Sequence, residues 1–303
     1  MREKQTTIKQ PFSLAGKGLH TGLMVRATIK PAPAHSGITL LLTDIKPNVS
    51  MPALSVYGGD CARGTVLVKD GARVTTLEHL MAAFHGLHID NAVVELNGPE
   101  VPILDGSALP WVEAILKAGV QELDAEREYI QFSEPILADY GNGTTYRVDP
   151  ADDFQIHCHI DFGNTVIGCQ DAELTNYGQF QEQIAPCRTF CFLHEVEAML
   201  KASLIKGGDL DNALVYVNGE LSKETQRSLA IIYNKNIDEI KVTNGVINTV
   251  SQYFPNEPAR HKLLDFMGDI LLLGRPVKGH FNITCPGHKH NIAFANHLLE
   301  TLK

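Results

Sequence analysis

Long hydrophobic runs are missing from this sequence, and their absence excludes a membrane-spanning protein. The longest purely apolar run near the segment RHKLLDFMGD is Ile270–Leu273, far short of the roughly 20 residues that cross a bilayer. The charges in the N-terminal MREKQTTIKQPF are not followed by an apolar stretch, so this segment is not a secretory signal. We therefore expect a soluble, cytoplasmic protein with at most a peripheral membrane association.

Positive charge and cysteine are also scarce. Lys and Arg number 26 against 35 Asp and Glu, a formal charge of −9, so no global field favours nucleic acid as a partner. The six Cys form no C-x-x-C pair, which argues against a zinc ribbon or a thioredoxin-like motif. They fit free thiols in a reducing compartment. The remaining composition, 44% hydrophobic and 20% charged, is typical of a soluble globular protein with a core.

The order of the predicted elements suggests two similar halves. Strands over residues 5–70 are followed by a helix in TTLEHLMAAFHG, a buried strand in NAVVEL and a helix in SALPWVEAILKAG. From Tyr129 onward strands return, and the chain closes with a helix in RHKLLDFMGD, a strand in VKGHFNIT and a last helix. We predict an α+β fold of two similar, layered α/β sandwich halves.

We place the boundary between the halves near Ala125. The N-terminal α+β domain then covers residues 1–125, and the C-terminal α+β domain covers residues 126–303. Within the second domain we expect a helix at 175–185. A polar section at 218–250 is rich in Asn, Lys and Glu, and we assign it no role.

The segment RHKLLDFMGD carries an unusual polar stripe. In a helix, His261, Asp265 and Asp269 fall at i, i+4 and i+8, on one face. Two explanations stay open at this point. The stripe is either a solvated face with an ion pair worth about 0.2–0.5 kcal/mol, or a set of ligands for a metal ion.

The TTLEHL helix offers the groups that this stripe lacks. Thr75-x-x-Glu78 matches a capping box, and His79 taken alone would be an ordinary surface His. The HExxH motif of metalloproteases is absent. His79, His261 and Asp265 together would give the two His and one carboxylate of a catalytic zinc site. Glu78 would then stand ready to take a proton from a bound water, provided that the two helices face each other.

Other His residues are less clear. His288 follows a Pro-Gly turn in TCPGHKHN, at the start of the last predicted helix. It could act as a general acid or be a capping or surface His, and the spacing leaves both explanations open. His85, His88 and His290 have no partner pattern, and we expect them to be surface or core residues.

Six motifs together resemble one known family. GKGLHTG, TTLEHL, IDNAVVELNGPEVPILDGSA, RTF, RHKLLDFMGD and PGH occur in this order, as in the UDP-3-O-acyl-N-acetylglucosamine deacetylase family, the zinc enzymes of bacterial lipid A synthesis. The resemblance covers the chain from about residue 5 to the C-terminus, apart from 218–250. It implies two similar α+β halves with a metal site between them.

The resemblance implies roles for the metal chemistry. His79, His261 and Asp265 would bind Zn²⁺, with Fe²⁺ as the alternative metal. Glu78 would be the general base that deprotonates water.

Three further residues resemble those that act on the reacting group. His288 would protonate the leaving amine or stabilise the developing charge. Asp269 would orient that imidazole and favour its charged form. Thr189 resembles a hydroxyl that donates to the oxyanion.

The resemblance also places residues near the substrate, a UDP-linked acylated glucosamine. Lys262 resembles a cation near the diphosphate or sugar. Phe162 resembles an aromatic that packs on uracil, with Asp161 beside it, and an ordinary strand Phe is the equal alternative. His20 resembles a residue near the substrate or its acyl passage, and Phe190, in the RTF motif, completes the substrate-binding set.

A βαβ insert at about 188–217 is implied as well. In the family such an insert forms a hydrophobic passage for the acyl chain. The helix expected at 194–206 carries apolar residues that either line this passage or are simply core: Val196, Met199, Leu200, Leu204 and Ile205. Some relatives continue into a hydroxyacyl dehydratase domain, so a fused or separate dehydratase is a possible partner.

The implied function is zinc-dependent hydrolysis of the N-acetyl group of UDP-3-O-acyl-N-acetylglucosamine, which releases acetate and UDP-3-O-acyl-glucosamine. One alternative is a metal amidohydrolase that acts on another acylated amine. Another is a non-catalytic sugar-nucleotide or metal-storage protein. Glu78 beside His79 argues against the last, because a pure binding site needs no base.

Overall fold

The computed structural model describes residues 3–61, 63–196, 206–247 and 251–302. The strands are β1 (Lys4–Ile8), β2 (Phe12–Lys17), β3 (Met24–Pro31), β4 (Ile38–Leu42), β5 (Val49–Pro52), β6 (Val66–Lys69), β7 (Ala72–Thr75), β8 (Ala92–Leu96), β9 (Val120–Glu126), β10 (Ile136–Asp139), β11 (Thr145–Asp149), β12 (Phe154–Asp161), β13 (Cys169–Leu174), β14 (Phe190–Phe192), β15 (Leu214–Tyr216), β16 (Val242–Thr243), β17 (Val246–Ile247) and β18 (Gly279–Thr284). The labelled helices are α1 (Glu78–Gly86), α2 (Leu109–Ala118), α3 (Lys223–Ile232), α4 (Glu257–Leu271) and α5 (His288–Thr301). Among the described residues, no helix is long and apolar enough to cross a bilayer.

Two five-stranded sheets share one topology. The first has the order β2-β3-β8-β4-β5 and the second the order β10-β11-β18-β12-β13. In each sheet the strand that comes last in sequence, β8 or β18, lies in the centre. It pairs antiparallel with the second strand of that sheet in sequence order and parallel with the third. The echo of elements in the sequence therefore corresponds to a real repeat of strand order, and the predicted α+β class is confirmed.

The helices repeat in the same way. Helix α1 connects the fourth and fifth strands of the first sheet, and α4 makes the same connection in the second. Alternating burial along β12 turns one face of the second sheet toward α4. Helices α1 and α4 pack directly on each other, as the facing of TTLEHL and RHKLLDFMGD requires. The interface between the halves is thus lined by the two helices that carry the predicted site residues Glu78, His79, His261 and Asp265.

A glycine allows this close packing. A Cβ atom added at Gly268 of α4 would lie only 2.1 Å from the main-chain oxygen of Glu78 in α1. A second close contact is made by Phe180, whose ring would lie 2.1 Å from a Cβ at Gly86. Phe180 opens a single π-helical turn, Phe180–Ile184, that follows a 3₁₀ turn at Tyr177–Gln179. These two turns replace the continuous helix predicted at 175–185, because the buried ring must reach α1.

The polar section at 218–250 completes a third sheet. Strands β14 and β15 pair in parallel, and the β16–β17 hairpin extends them in the order β14-β15-β17-β16. Helix α3 packs beside this sheet, and together they bury a small core of their own, formed by Val196, Leu210, Val215, Val217, Leu229, Ala230, Ile240 and Ile247. The section therefore covers a sheet, a structural role that its polar composition did not indicate.

The helix expected at 194–206 and the domain boundary near Ala125 both stay predictions. Residues 193–196 are helical, but the rest of the helix expected at 194–206, with Met199, Leu200, Leu204 and Ile205, lies outside the described residues. The boundary proposed near Ala125 falls within β9, which pairs antiparallel with β1.

The Gly268 contact gives a prediction about stability. Gly268→Ala should lower the free energy of unfolding by about 1–3 kcal/mol, since the added methyl group overpacks the α1–α4 contact, and this outweighs the gain in helix propensity. The matched control is Gly178→Ala, where the nearest atom is the end of the Asn176 side chain. Urea unfolding measures both variants, and equal stabilities would contradict the role assigned to Gly268.

Candidate metal centre between the two halves

Helices α1 and α4 bring together the three predicted metal ligands. The Nε2 atoms of His79 and His261 lie 3.8 and 3.3 Å from Oδ1 of Asp265. One ligand atom from each residue can be chosen so that all three lie within 4.8 Å of one another. His261 and Asp265 are 2% and 1% exposed, so the solvated-face explanation of the stripe is wrong.

The hydrogen bonds of this group fit a bound cation. The Nδ1–H of His261 donates to the Cys187 carbonyl at 3.0 Å, which leaves the lone pair of Nε2 directed at the group. Oδ1 of Asp265 is buried and has no hydrogen-bond partner among the described residues. A buried acceptor without a donor is costly, and a metal ion held by two imidazoles and one carboxylate would remove that cost.

Glu78 lies beside this group at the start of α1. Its Oε2 accepts a hydrogen bond from the main-chain N–H of Thr65 at 3.0 Å. Burial raises the pKa of Glu78 to about 7. The capping-box explanation is wrong, because Thr75 belongs to β7 and Leu77 is the N-cap. The local sequence suggested that Glu78 caps its own helix, whereas its carboxylate is bonded to the main chain of Thr65, directly before β6.

His288 and Asp269 form a second buried unit. Nδ1 of His288 lies 3.0 Å from Oδ2 of Asp269, and its Nε2 faces Oδ2 of Asp265 at 3.6 Å. Burial acts against the charged imidazolium, but the Asp265 and Asp269 carboxylates outweigh it and raise the pKa of His288 to about 9. Gly287, not His288, is the N-cap of α5, so the capping explanation for His288 is wrong.

Sequence reasoning missed the residues that hold Asp269. The hydroxyl of Thr65 donates to its Oδ1 and lies 3.2 Å from Nδ1 of His288. The amide of Asn291 donates to Oδ2 at 2.8 Å and is itself bonded to the Tyr146 hydroxyl. Asn291 lies one turn after His288 in α5, a spacing that could have indicated it. Thr65 gave no signal, because it lies directly before β6, far from α4 in sequence.

One side of the metal group is aromatic and cationic. The Nζ of Lys262 donates to Oδ2 of Asp265 at 2.9 Å and lies 5.7 Å from the centre of the Phe190 ring. The Phe190 ring packs on Phe162 at 5.6 Å and approaches His261 at 6.3 Å. This wall connects the metal group to the second sheet.

Three more predicted residues make local contacts. Asp161 is exposed and accepts a hydrogen bond from the N–H of Gly163. Thr189, the predicted oxyanion donor, is half-buried, and its main-chain N–H donates to the Gly106 carbonyl. His20 donates its main-chain N–H to Oε1 of a buried carboxylate, Glu100, at 3.0 Å. The roles of these three residues stay predictions.

Glu100 is a further residue that the sequence did not single out. Besides His20, its carboxylate accepts the N–H and hydroxyl of Thr21 and the hydroxyl of Thr76. Its side chain therefore ties the GKGLHTG loop to the segment that enters α1. Gly18 has to be a glycine for this contact, because a Cβ there would lie 2.3 Å from Oε2 of Glu100.

Burial and neighbouring charges shift the pKa values of the proposed metal ligands in opposite directions. Burial acts to raise the pKa of Asp265, but His261 and Lys262 outweigh it and hold that pKa well below its usual range. Burial lowers the pKa of His79 to about 3. Burial lowers the pKa of His261 as well. An ionised carboxylate beside imidazoles that lose their protons readily is the combination that binds a divalent metal.

Repeated α+β halves with a His₂–Asp group between them define a candidate metal-dependent protein, and comparisons with known proteins agree. The family model of UDP-3-O-acyl N-acetylglycosamine deacetylase matches residues 5–230 and 230–300. The chain belongs to this family, which confirms the resemblance found in the sequence.

Individual relatives fall into two groups. The bifunctional enzyme LpxC/FabZ of Bacteroides thetaiotaomicron is 40% identical over 304 residues, which cover 99% of this chain and 65% of that protein. Its counterpart from Chlorobaculum tepidum is 41% identical over 97% of this chain and 64% of that protein. The UDP-3-O-acyl-N-acetylglucosamine deacetylase of Myxococcus xanthus is 40% identical over 95% of this chain and 83% of that protein. The chain thus spans slightly less than two thirds of the bifunctional relatives.

The Thr65 contact predicts a loss of stability on mutation. Thr65→Val keeps the shape of the side chain but leaves the buried Asp269 carboxylate without one donor, so the free energy of unfolding should fall by about 1–3 kcal/mol. Thr28→Val is the control, because that hydroxyl is hydrogen-bonded to the Ser13 hydroxyl at the surface, away from any buried carboxylate. Urea titration should separate the two variants, and no difference between them would refute the assigned contact.

Proposed function

We propose that this protein hydrolyses the N-acetyl group of UDP-3-O-acyl-N-acetylglucosamine, and that zinc is its metal. The observation that carries the proposal is the buried His₂–Asp group with an orphaned Asp265 oxygen. Glu78 lies next to this group, and the family membership supplies the substrate class. The deacetylase name of the Myxococcus xanthus relative supports the same reaction.

His79, His261 and Asp265 are the residues that would hold the ion. When bound, zinc would lower the pKa of a water ligand to about 7 and would polarise a carbonyl oxygen. Three protein ligands are usual in a catalytic zinc site, and the two imidazoles and one carboxylate would supply that number. Fe²⁺ is the alternative metal, since imidazole ligands suit both ions.

The protein's own residues divide the proton transfers between them. Glu78 takes a proton from the attacking water. Asp269 fixes the His288 ring through Nδ1, so that Nε2 faces the centre and delivers a proton to the leaving amine nitrogen. The hydroxyl of Thr189 donates to the oxyanion that develops on the carbonyl oxygen. The products are acetate and the free amine.

The aromatic and cationic wall suits the rest of the substrate. Lys262 would contact the sugar or diphosphate, because its charge lies at the edge of the metal group. Phe190 and Phe162 would pack on the nucleotide or sugar, while Asp161 and His20 would contact substrate at the outer rim.

We further propose a cytoplasmic enzyme of lipid A biosynthesis. All six cysteines are free thiols, as a reducing compartment would keep them. The bifunctional relatives support a hydroxyacyl dehydratase as a possible fused or separate partner.

The proposed reaction predicts a large effect at Glu78. With UDP-3-O-acyl-N-acetylglucosamine as substrate, Glu78→Gln should lower the rate of acetate release by about 10²–10⁴-fold, because the general base is lost. Mass spectrometry of both products measures the rate, with and without a chelator. Glu113→Gln, an exposed glutamate of α2, should leave the rate unchanged. Near-normal turnover by Glu78→Gln would exclude the proposed mechanism.

Metal content tests the ligand assignment separately. His261→Ala should lose bound zinc, because only one imidazole and one carboxylate remain. His297→Ala, a half-buried histidine of α5 outside the group, should keep a full equivalent. Elemental analysis of both purified proteins decides, and retention of zinc by His261→Ala would mean that the ion is held elsewhere.

A further inference from the structure

The outer face of the second sheet carries a cluster of histidine and carboxylate side chains outside the centre between the halves. Along β12 the even-numbered residues 154–160 are buried, while His157 and His159 point to the opposite face. The edge strand β13 pairs with β12 so that His159 lies opposite Asp171 and His157 lies opposite Glu173. Two histidines and two carboxylates therefore share one small area.

The contacts in this cluster are short. Nδ1 of His159 and Nε2 of His157 lie 2.9 and 3.2 Å from the same atom, Oδ1 of Asp171. Both imidazoles are 34% exposed, and the Asp171 side chain is 56% exposed. In this arrangement one carboxylate oxygen contacts two ring nitrogens, and both rings are partly open to solvent.

We propose that His157, His159 and Asp171 form a second metal site for a first-row divalent transition ion. Residues two apart on a strand have Cα atoms roughly 6.6 Å apart on the same face. Two imidazoles at that spacing can turn toward a single ion, and Asp171 across the ladder supplies a carboxylate oxygen. Glu173 is near enough in register to serve as a fourth ligand.

The chemistry of the ligands selects the class of ion. Imidazole nitrogens favour Ni²⁺, Cu²⁺ and Zn²⁺ over Mg²⁺ and Ca²⁺, which prefer sites made wholly of oxygen. The rigid sheet holds three ligands on neighbouring strands, so little chain entropy is lost on binding. Open positions remain for water, as expected for an exposed site.

This second site is separate from the centre between the halves. The inner residues of β12, among them the buried Cys158, lie between the cluster and α4, which packs on the inner face of the sheet. The proposal therefore does not depend on the proposed deacetylation, and either can fail without the other.

Ni²⁺ titration of the zinc-loaded protein tests the site. Isothermal titration calorimetry should detect one further equivalent of Ni²⁺, and zinc retained by the protein is measured in parallel to exclude exchange at the inner centre. Loss of an outer-shell partner already costs 10–100-fold in metal affinity, so His157→Ala and His159→Ala should each weaken Ni²⁺ binding by about 10-fold or more. Asp171→Asn should weaken it in the same direction.

The matched control is His280→Ala. His280 is half-buried on β18, between Gln155 of β12 and Asp149 of β11, so it offers an imidazole beside a carboxylate on the same sheet but without a second histidine on its own strand. This variant should bind Ni²⁺ as the parent protein does. Unchanged affinity in a His157→Ala/His159→Ala double variant would overturn the proposal. So would Ni²⁺ uptake that only replaces zinc.

Discussion

The packing of α1 against α4 is the constraint on which the rest of the structure depends. Gly268 lets the two helices approach until a side chain would collide with the main chain of Glu78. Because α1 carries Glu78, the proposed base, and the proposed ligand His79, while α4 carries the proposed ligands His261 and Asp265, this contact sets the spacing of the centre. A displacement of about 1 Å in such a site can cost 10²-fold in rate, so the glycine matters for geometry as much as for packing.

The sequence predicted that these two helices face each other, but not how closely they pack. The i, i+4, i+8 stripe of α4 is a local pattern, and helical geometry alone puts its three polar residues on one face. The order of elements indicated that TTLEHL occupies the matching position in the other half. The repeat of strand order in two sheets explains why matching helices meet, since each crosses its own sheet at the same point.

The features that the sequence did not predict were missed for one physical reason, namely contacts between residues far apart in the chain. Thr65 bonds Asp269 across 204 residues of sequence, and no local pattern around Thr65 predicts such a partner. The capping box at Thr75 failed because β7 continues through that residue and the Glu78 carboxylate has a better donor in the N–H of Thr65. Phe180 broke the expected helix to reach Gly86. In each case a tertiary contact outweighed a local preference of about 1 kcal/mol.

The buried charges of two carboxylates explain why the centre needs so many hydrogen-bond partners. Asp265 and Asp269 are buried almost completely, and burying a carboxylate is costly unless it is paired and hydrogen-bonded. Asp269 meets this condition through Thr65, Asn291 and His288, and it has no vacant oxygen. Asp265 meets it only at Oδ2, through Lys262, while Oδ1 has no donor among the described residues. The fold therefore gives hydrogen-bond donors to both oxygens of Asp269, the carboxylate that positions an imidazole. It leaves Oδ1 of Asp265, which faces His79 and His261, without a donor among the described residues. This difference favours a cation at Asp265, because the metal-free protein pays the cost of the unpaired oxygen.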